Sequence, residues 1–145
     1  MAPGMNAPLY TTDILRLAAS LHEPRQLERE DGWAELRSST CGSRMTTAVQ
    51  LDDDDRVAAL SQQVHACAFG QASAALCERG AVGRTRAEVT DAHDQLVRWL
   101  DGSADALGSW PGLNALTPAR SRKSRHGAIL LPFRTLLAAM AAATR

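Results

Sequence analysis

Aromatic side chains are scarce in this chain, 4% of 145 residues, which leaves little to build the stacking platforms that bind single-stranded nucleic acid. Net charge is missing too. Sixteen basic residues balance 16 acidic ones, so composition shows no whole-molecule field of the kind that marks a dedicated nucleic-acid binder. No apolar run approaches the roughly 20 residues needed to cross a bilayer, and the opening eight residues, Met1 to Pro8, offer neither a basic n-region nor an apolar h-region. The expectation is a soluble, cytoplasmic protein with no membrane and no nucleic acid among its partners. Three cysteines, Cys41, Cys67 and Cys77, are an odd number in a domain of this size, which argues for reduced thiols over a disulfide framework. A Gly-rich phosphate loop, a nucleophile elbow and paired catalytic carboxylates are also absent. No enzyme is expected: a hydrolase or transferase built on a thiolate and histidine pair would need an ordered motif that the chain does not show.

What is present is enough apolar side chain, 45% of residues, to bury a core in one domain spanning 1–145. Ile14, Leu17, Ala18 and Leu21 recur at helical spacing behind Thr11, Thr12 and Asp13, and predict a helix ending near His22-Glu23-Pro24. Trp33 to Ser39 and Met45 to Leu51 alternate as strands. After the polar Asp52 to Asp55 connection, Ala58, Leu60, Val64 and Ala66 predict a third. From Ala68 a run of small residues predicts a helix stopped by Gly80. The next begins at the capping pair Thr85 and Glu88 and ends at Asp101-Gly102. Beyond a turn-rich loop and the basic residues Arg120, Arg122, Lys123 and Arg125, a last helix is expected with Pro132 in its first turn and with Ile129, Phe133, Leu136, Leu137 and Met140 as its buried stripe. Strands grouped before helices imply an α+β fold, a three-stranded antiparallel sheet with helices packed on one face.

Both Cys41, in a turn between strands, and Cys67, where a strand feeds a helix, fall at element ends. A thiolate binds iron or zinc, and a helix N-terminus favours negative charge, which makes Cys67 the better placed of the two. Cys77, ten residues further along the same helix, is expected to fill core. The histidines His22, His65 and His93 carry no partner motif. Asp52 to Asp55 lack the glycine and terminal glutamate of a calcium loop and read as a solvated hairpin turn.

The residues around the two cysteines resemble the IscU, SufU and NifU N-terminal family of iron-sulfur cluster assembly scaffolds. Glu23-Pro24-Arg25-Gln26 is similar to the family's Asn/His-Pro-Arg-Asn segment. Cys41-Gly42-Ser43 is similar to its Cys-Gly-Asp, and Ala66-Cys67-Ala68-Phe69-Gly70-Gln71-Ala72-Ser73-Ala74 to its second ligand motif. Arg125 to Phe133 matches Arg-x-Lys-Cys-Ala-Leu-Leu-Pro-Trp without a gap. That alignment puts Ala128 where the family has its third cysteine, Gly127 where some members have histidine, and Ser43 where it has aspartate. The resemblance implies a SufE/NifU-like fold and a non-enzymatic scaffold that binds iron, zinc or a [2Fe-2S] cluster, or accepts sulfur, through Cys41 and Cys67. His126, one residue out of register, is the nearest candidate for a further ligand. The implied partners are a cysteine desulfurase and a chaperone, and the basic run 120–125 suits an acidic protein surface. A second reading keeps the fold and the partner surface as an interaction or regulatory protein without cluster binding.

Overall fold

The computed structural model describes residues 10–39 and 42–143. Helix α1 (Thr12–Ala19) opens with the Thr11 hydroxyl accepting from the Ile14 N–H at 3.1 Å, as an N-cap does. It ends at Ser20, earlier than the spacing predicts, because Ser20 caps it by donating its hydroxyl to the Leu17 carbonyl at 2.7 Å. Strands β1 (Gly32–Arg37), β2 (Arg44–Leu51) and β3 (Val57–His65) form an antiparallel sheet in chain order. Helices α2 (Ala68–Ala81), α3 (Arg86–Leu100) and α4 (Lys123–Ala141) follow, with a 3₁₀ segment, Leu113–Ala119, before α4.

Strand β2 buries every second residue, Met45, Thr47, Val49 and Leu51, and α2 and α4 cover that face. The outer face is crossed by the chain between α1 and β1. There the Arg25 N–H reaches the Ser61 hydroxyl at 2.8 Å and the Arg29 N–H reaches Gln50 Oε1 at 3.4 Å. Asp31 secures the join: its buried carboxylate accepts from Arg29 at 2.7 Å and from the Leu51 N–H at 2.7 Å. The α+β expectation holds, with the helices on one face of the three-stranded sheet.

Four local expectations are corrected. In β3 the register passes from Gln50 opposite Ala59 to Leu51 opposite Val57. Ala58 is thereby left as a bulge, exposed, and Val57 takes the buried place. Helix α2 runs through Gly80, whose missing Cβ makes room for Trp110: a Cβ there would lie 2.6 Å from the indole ring. The left-handed residue that closes the connection is Gly83, at φ 89. Pro132 lies well inside α4 rather than in its first turn. Its missing N–H leaves the Ala128 carbonyl without the usual helical donor, and beside it the Ser73 hydroxyl of α2 donates to the Ile129 carbonyl at 2.5 Å. The 3₁₀ segment falls where only a loop was expected. Helix α3 begins as predicted, with the Thr85–Glu88 capping box intact.

Candidate functional site

The register fixes which chain segments share an end of the sheet. Arg37 pairs with Arg44 and Arg44 with His65, so the β1–β2 connection and the end of β3 lie side by side. Across that connection the Ser38 N–H donates to the Ser43 carbonyl at 2.8 Å, and the Gly42 N–H donates to the Ser38 carbonyl at 3.2 Å. Gly42 turns the chain at φ 72. The site prediction at Cys41 falls in this connection but lies outside the described residues. Ser43, which replaces the family's aspartate, is buried.

Two residues past the end of β3, Cys67 is the N-cap of α2, with extended backbone at φ −66 and ψ 174, and its thiol is half-buried. Its carbonyl accepts the Gln71 N–H at 2.9 Å, and the Gln71 side chain turns back to the Ala66 carbonyl at 3.2 Å. The bend into the helix is therefore held from both sides.

Helix α4 approaches the same end. A Cβ on Gly70, one turn into α2, would lie 3.3 Å from the Ala128 Cβ and 2.6 Å from that of Ala66, so the glycine is what lets α4 come this close to the Cys67 turn. Ala128 itself is 1% exposed. The opposite end of α4 rests on the start of β1, where a Cβ on Gly32 would strike the Ala139 carbonyl. The structure thus brings Cys67, the β1–β2 connection and Ala128 to one rim.

His126 is anchored through one ring nitrogen. Its Nε2 lies 3.1 Å from the Ala119 carbonyl oxygen and 3.0 Å from that of Arg120, two acceptors, so this nitrogen carries the proton and is committed to holding the 3₁₀ segment against α4. Cys77 is fully buried among core residues, and burial pushes its thiol well above its usual range. A protonated, sealed thiol is no ligand. Among the described residues no group of three or more His, Cys, Asp or Glu side chains could hold a metal ion.

Sequence reasoning missed two features, one along α2 and one beside this rim. His22, which carries no motif, meets Glu78 of α2 with Nδ1 2.6 Å from Oε2; the partner is 56 positions away, beyond any local pattern. A cleft of about 460 Å³ borders the α2 side of the rim, lined by Leu21, His22, Pro24, Gln62, Val64 and Gln71 among others. This gives the Pro24 segment a role as a wall. A larger cleft of about 730 Å³ lies between α1, the far half of α2 and the 3₁₀ segment. Its α2 residues, Leu76 and Arg79, start about 14 Å along the helix axis from Cys67, so size alone does not mark the thiol's site.

Comparison with solved structures finds the same arrangement of elements. The chain is 30% identical to the N-terminal part of a nitrogen-fixing NifU-like protein from Brucella abortus, with a TM-score of 0.84 over 92% of this chain and 93% of that one. It is 22% identical to a protein described as an iron-sulfur cluster assembly scaffold for the SUF system from Fervidobacterium islandicum, with a TM-score of 0.78 over 91% and 96% of the two chains. No family model and no curated protein matches the sequence.

Proposed function

The chain belongs to the IscU/SufU/NifU N-terminal family, and from that premise we propose that it serves iron-sulfur cluster assembly as a scaffold-like, non-enzymatic cytoplasmic protein that receives sulfur through Cys67. Cys41 acts as the second thiol, and a cysteine desulfurase is the donor. The observation that carries this reading is the placing of Cys67: a partly buried residue at the edge of the core and at a helix N-cap, at the sheet end to which the β1–β2 connection returns.

The donor set argues for sulfur over a closed metal site. A structural zinc or cluster site wants four donors. Ala128 and Gly127 offer none, and Cys77 is sealed. A cluster or iron ion is therefore cargo that this chain holds only with ligands brought by a partner. Receiving sulfur needs less. The Cys67 thiolate attacks the terminal sulfur of the donor's persulfide; a new S–S bond forms on Cys67, the donor's S–S bond breaks, and the donor departs as a thiolate with no external oxidant. The second reading, a partner-binding member that carries neither sulfur nor cluster, is favoured by Ala128, whose methyl fills the third position and packs beside Gly70.

Anaerobic incubation with a cysteine desulfurase and cysteine, read by intact mass, decides between them. A gain of one sulfur atom that disappears in Cys67→Ser is expected. Restoring the third thiol by Ala128→Cys should raise iron and sulfide retention after gel filtration, visible as absorption between roughly 400 and 450 nm, the range of thiolate-bound iron-sulfur centres. Wild-type protein that takes up no sulfur yet binds the desulfurase overturns the sulfur reading in favour of the second.

A further inference from the structure

One end of this neutral chain gathers cations without carboxylate partners among the described residues, whereas Arg29, Arg56, Arg84 and Arg86 lie among the carboxylates of the other end. Arg37, Arg44 and His65 stand in a row across the three strands at the Cys67 end. All three lie on the outer face, since Leu36, Met45 and Val64 beside them turn inward to one cluster. From the other side, α4 begins at this end, and Arg122, Lys123 and Arg125 precede Ala128 by one to two turns. None of these five arginine and lysine side chains makes an ion pair among the described residues. Carboxylates on this side include Glu23 in the wall of the neighbouring cleft, Glu35, two residues back on β1, and Asp105, which lies 3.5 Å from Arg120. At the opposite end the β2–β3 turn carries Asp52 to Asp55, all exposed, and Glu28 and Glu30 lead into the start of β1.

We propose that this basic collar around Cys67 is a docking surface for an acidic segment of the sulfur donor, one that carries carboxylates next to its persulfide cysteine. The inference rests on the sulfur-receiving role of Cys67 and adds the chemistry by which the donor is recognised. A thiol flanked by cations from both the sheet and α4 gathers a negatively charged segment before bond exchange, and a local field of this kind raises encounter rates by about 10- to 1000-fold at low salt. Protein is favoured over single-stranded nucleic acid because the collar holds no aromatic side chain for stacking, and over duplex because the chain as a whole carries no net positive charge.

Two synthetic peptide persulfides test this, one with aspartate and glutamate flanking the persulfide cysteine and one with serine and glutamine in their place. Sulfur transfer to Cys67 from the acidic peptide should be at least about tenfold faster at low ionic strength, with the gap closing in molar salt, where screening shortens to about 3 Å. Arg44→Glu should close most of the gap, and so should the independent α4 variant Lys123→Glu/Arg125→Glu, each leaving the rate from the neutral peptide unchanged. Equal rates from the two peptides in the wild type overturn the docking surface and leave the role of Cys67 standing. Failure of both peptides to label Cys67 overturns that role itself. Stronger protection of Cys67 by a short DNA duplex than by polyglutamate, at equal charge concentration, overturns the acidic-protein partner.

Discussion

Cys67 and Cys77 share one helix and differ in what governs a thiol. The first is a partly buried N-cap, and the second has no exposed surface. Iodoacetamide should therefore modify Cys67 in the native protein and reach Cys77 only after unfolding, a contrast that peptide mass mapping reads directly. The buried thiol also has a pH signature. Its native pKa is raised above the ordinary value of 9.0 by burial, so native Cys77 keeps a proton that the unfolded chain releases, and the unfolded state gains as pH rises past about 9. Stability should fall by up to about 1.4 kcal/mol per pH unit there, and the fall should be smaller in Cys77→Ala when urea midpoints are compared at pH 8 and pH 10. A native protein whose Cys77 is alkylated as fast as Cys67 would contradict both statements. The core role of Cys77 was legible from its spacing alone. The hydrogen bonds of His126 were not, because the carbonyls that accept them, of Ala119 and Arg120, close a 3₁₀ segment that reads as loop in the sequence.

Among the elements, those whose ends carry local chemistry were readable. The capping box of α3 and the N-cap of α1 are built from neighbouring residues, and the alternation of β2 reports its own burial. Errors arose where a distant partner decides. Gly80 looks like a helix stop until Trp110 is placed against it. The indole also donates to the Leu76 carbonyl at 3.0 Å and stacks edge-on against Phe133 at 5.1 Å. Alanine at position 80 would improve helix propensity by roughly 1 kcal/mol, but its Cβ would press on a ring held from three sides, and overpacking of that kind costs about 1–3 kcal/mol. Gly80→Ala is therefore expected to lower stability in urea denaturation, with a changed near-ultraviolet signal from Trp110. A stabilised variant would show that the ring gives way freely. Pro132 misleads in the same manner: the rule that places proline in a first turn is local, while the Ser73 hydroxyl that donates to the adjoining carbonyl comes from another helix.

For the molecule entire, the family and the layered α+β plan followed from residues spread along the chain, whereas the distribution of charge did not. A count of 16 against 16 says nothing about placement, and only the register and the direction of α4 gather Arg37, Arg44, Arg122, Lys123 and Arg125 at the end opposite Asp52 to Asp55. A body with no net charge and exposed patches of both signs has a further property. Near its isoelectric point, pH ≈ 6.9, copies can line up head to tail, the arginines of one meeting the aspartates of the next, with no net repulsion to keep them apart. Light scattering at low ionic strength should accordingly show an apparent mass above that of one chain. Roughly 0.15 M salt, which screens beyond about 8 Å, should return it toward the monomer value, as should asparagine in place of Asp53 and Asp54. Such chains would hide the collar in their own contacts, so ionic strength would set how much of this protein is free to meet anything else.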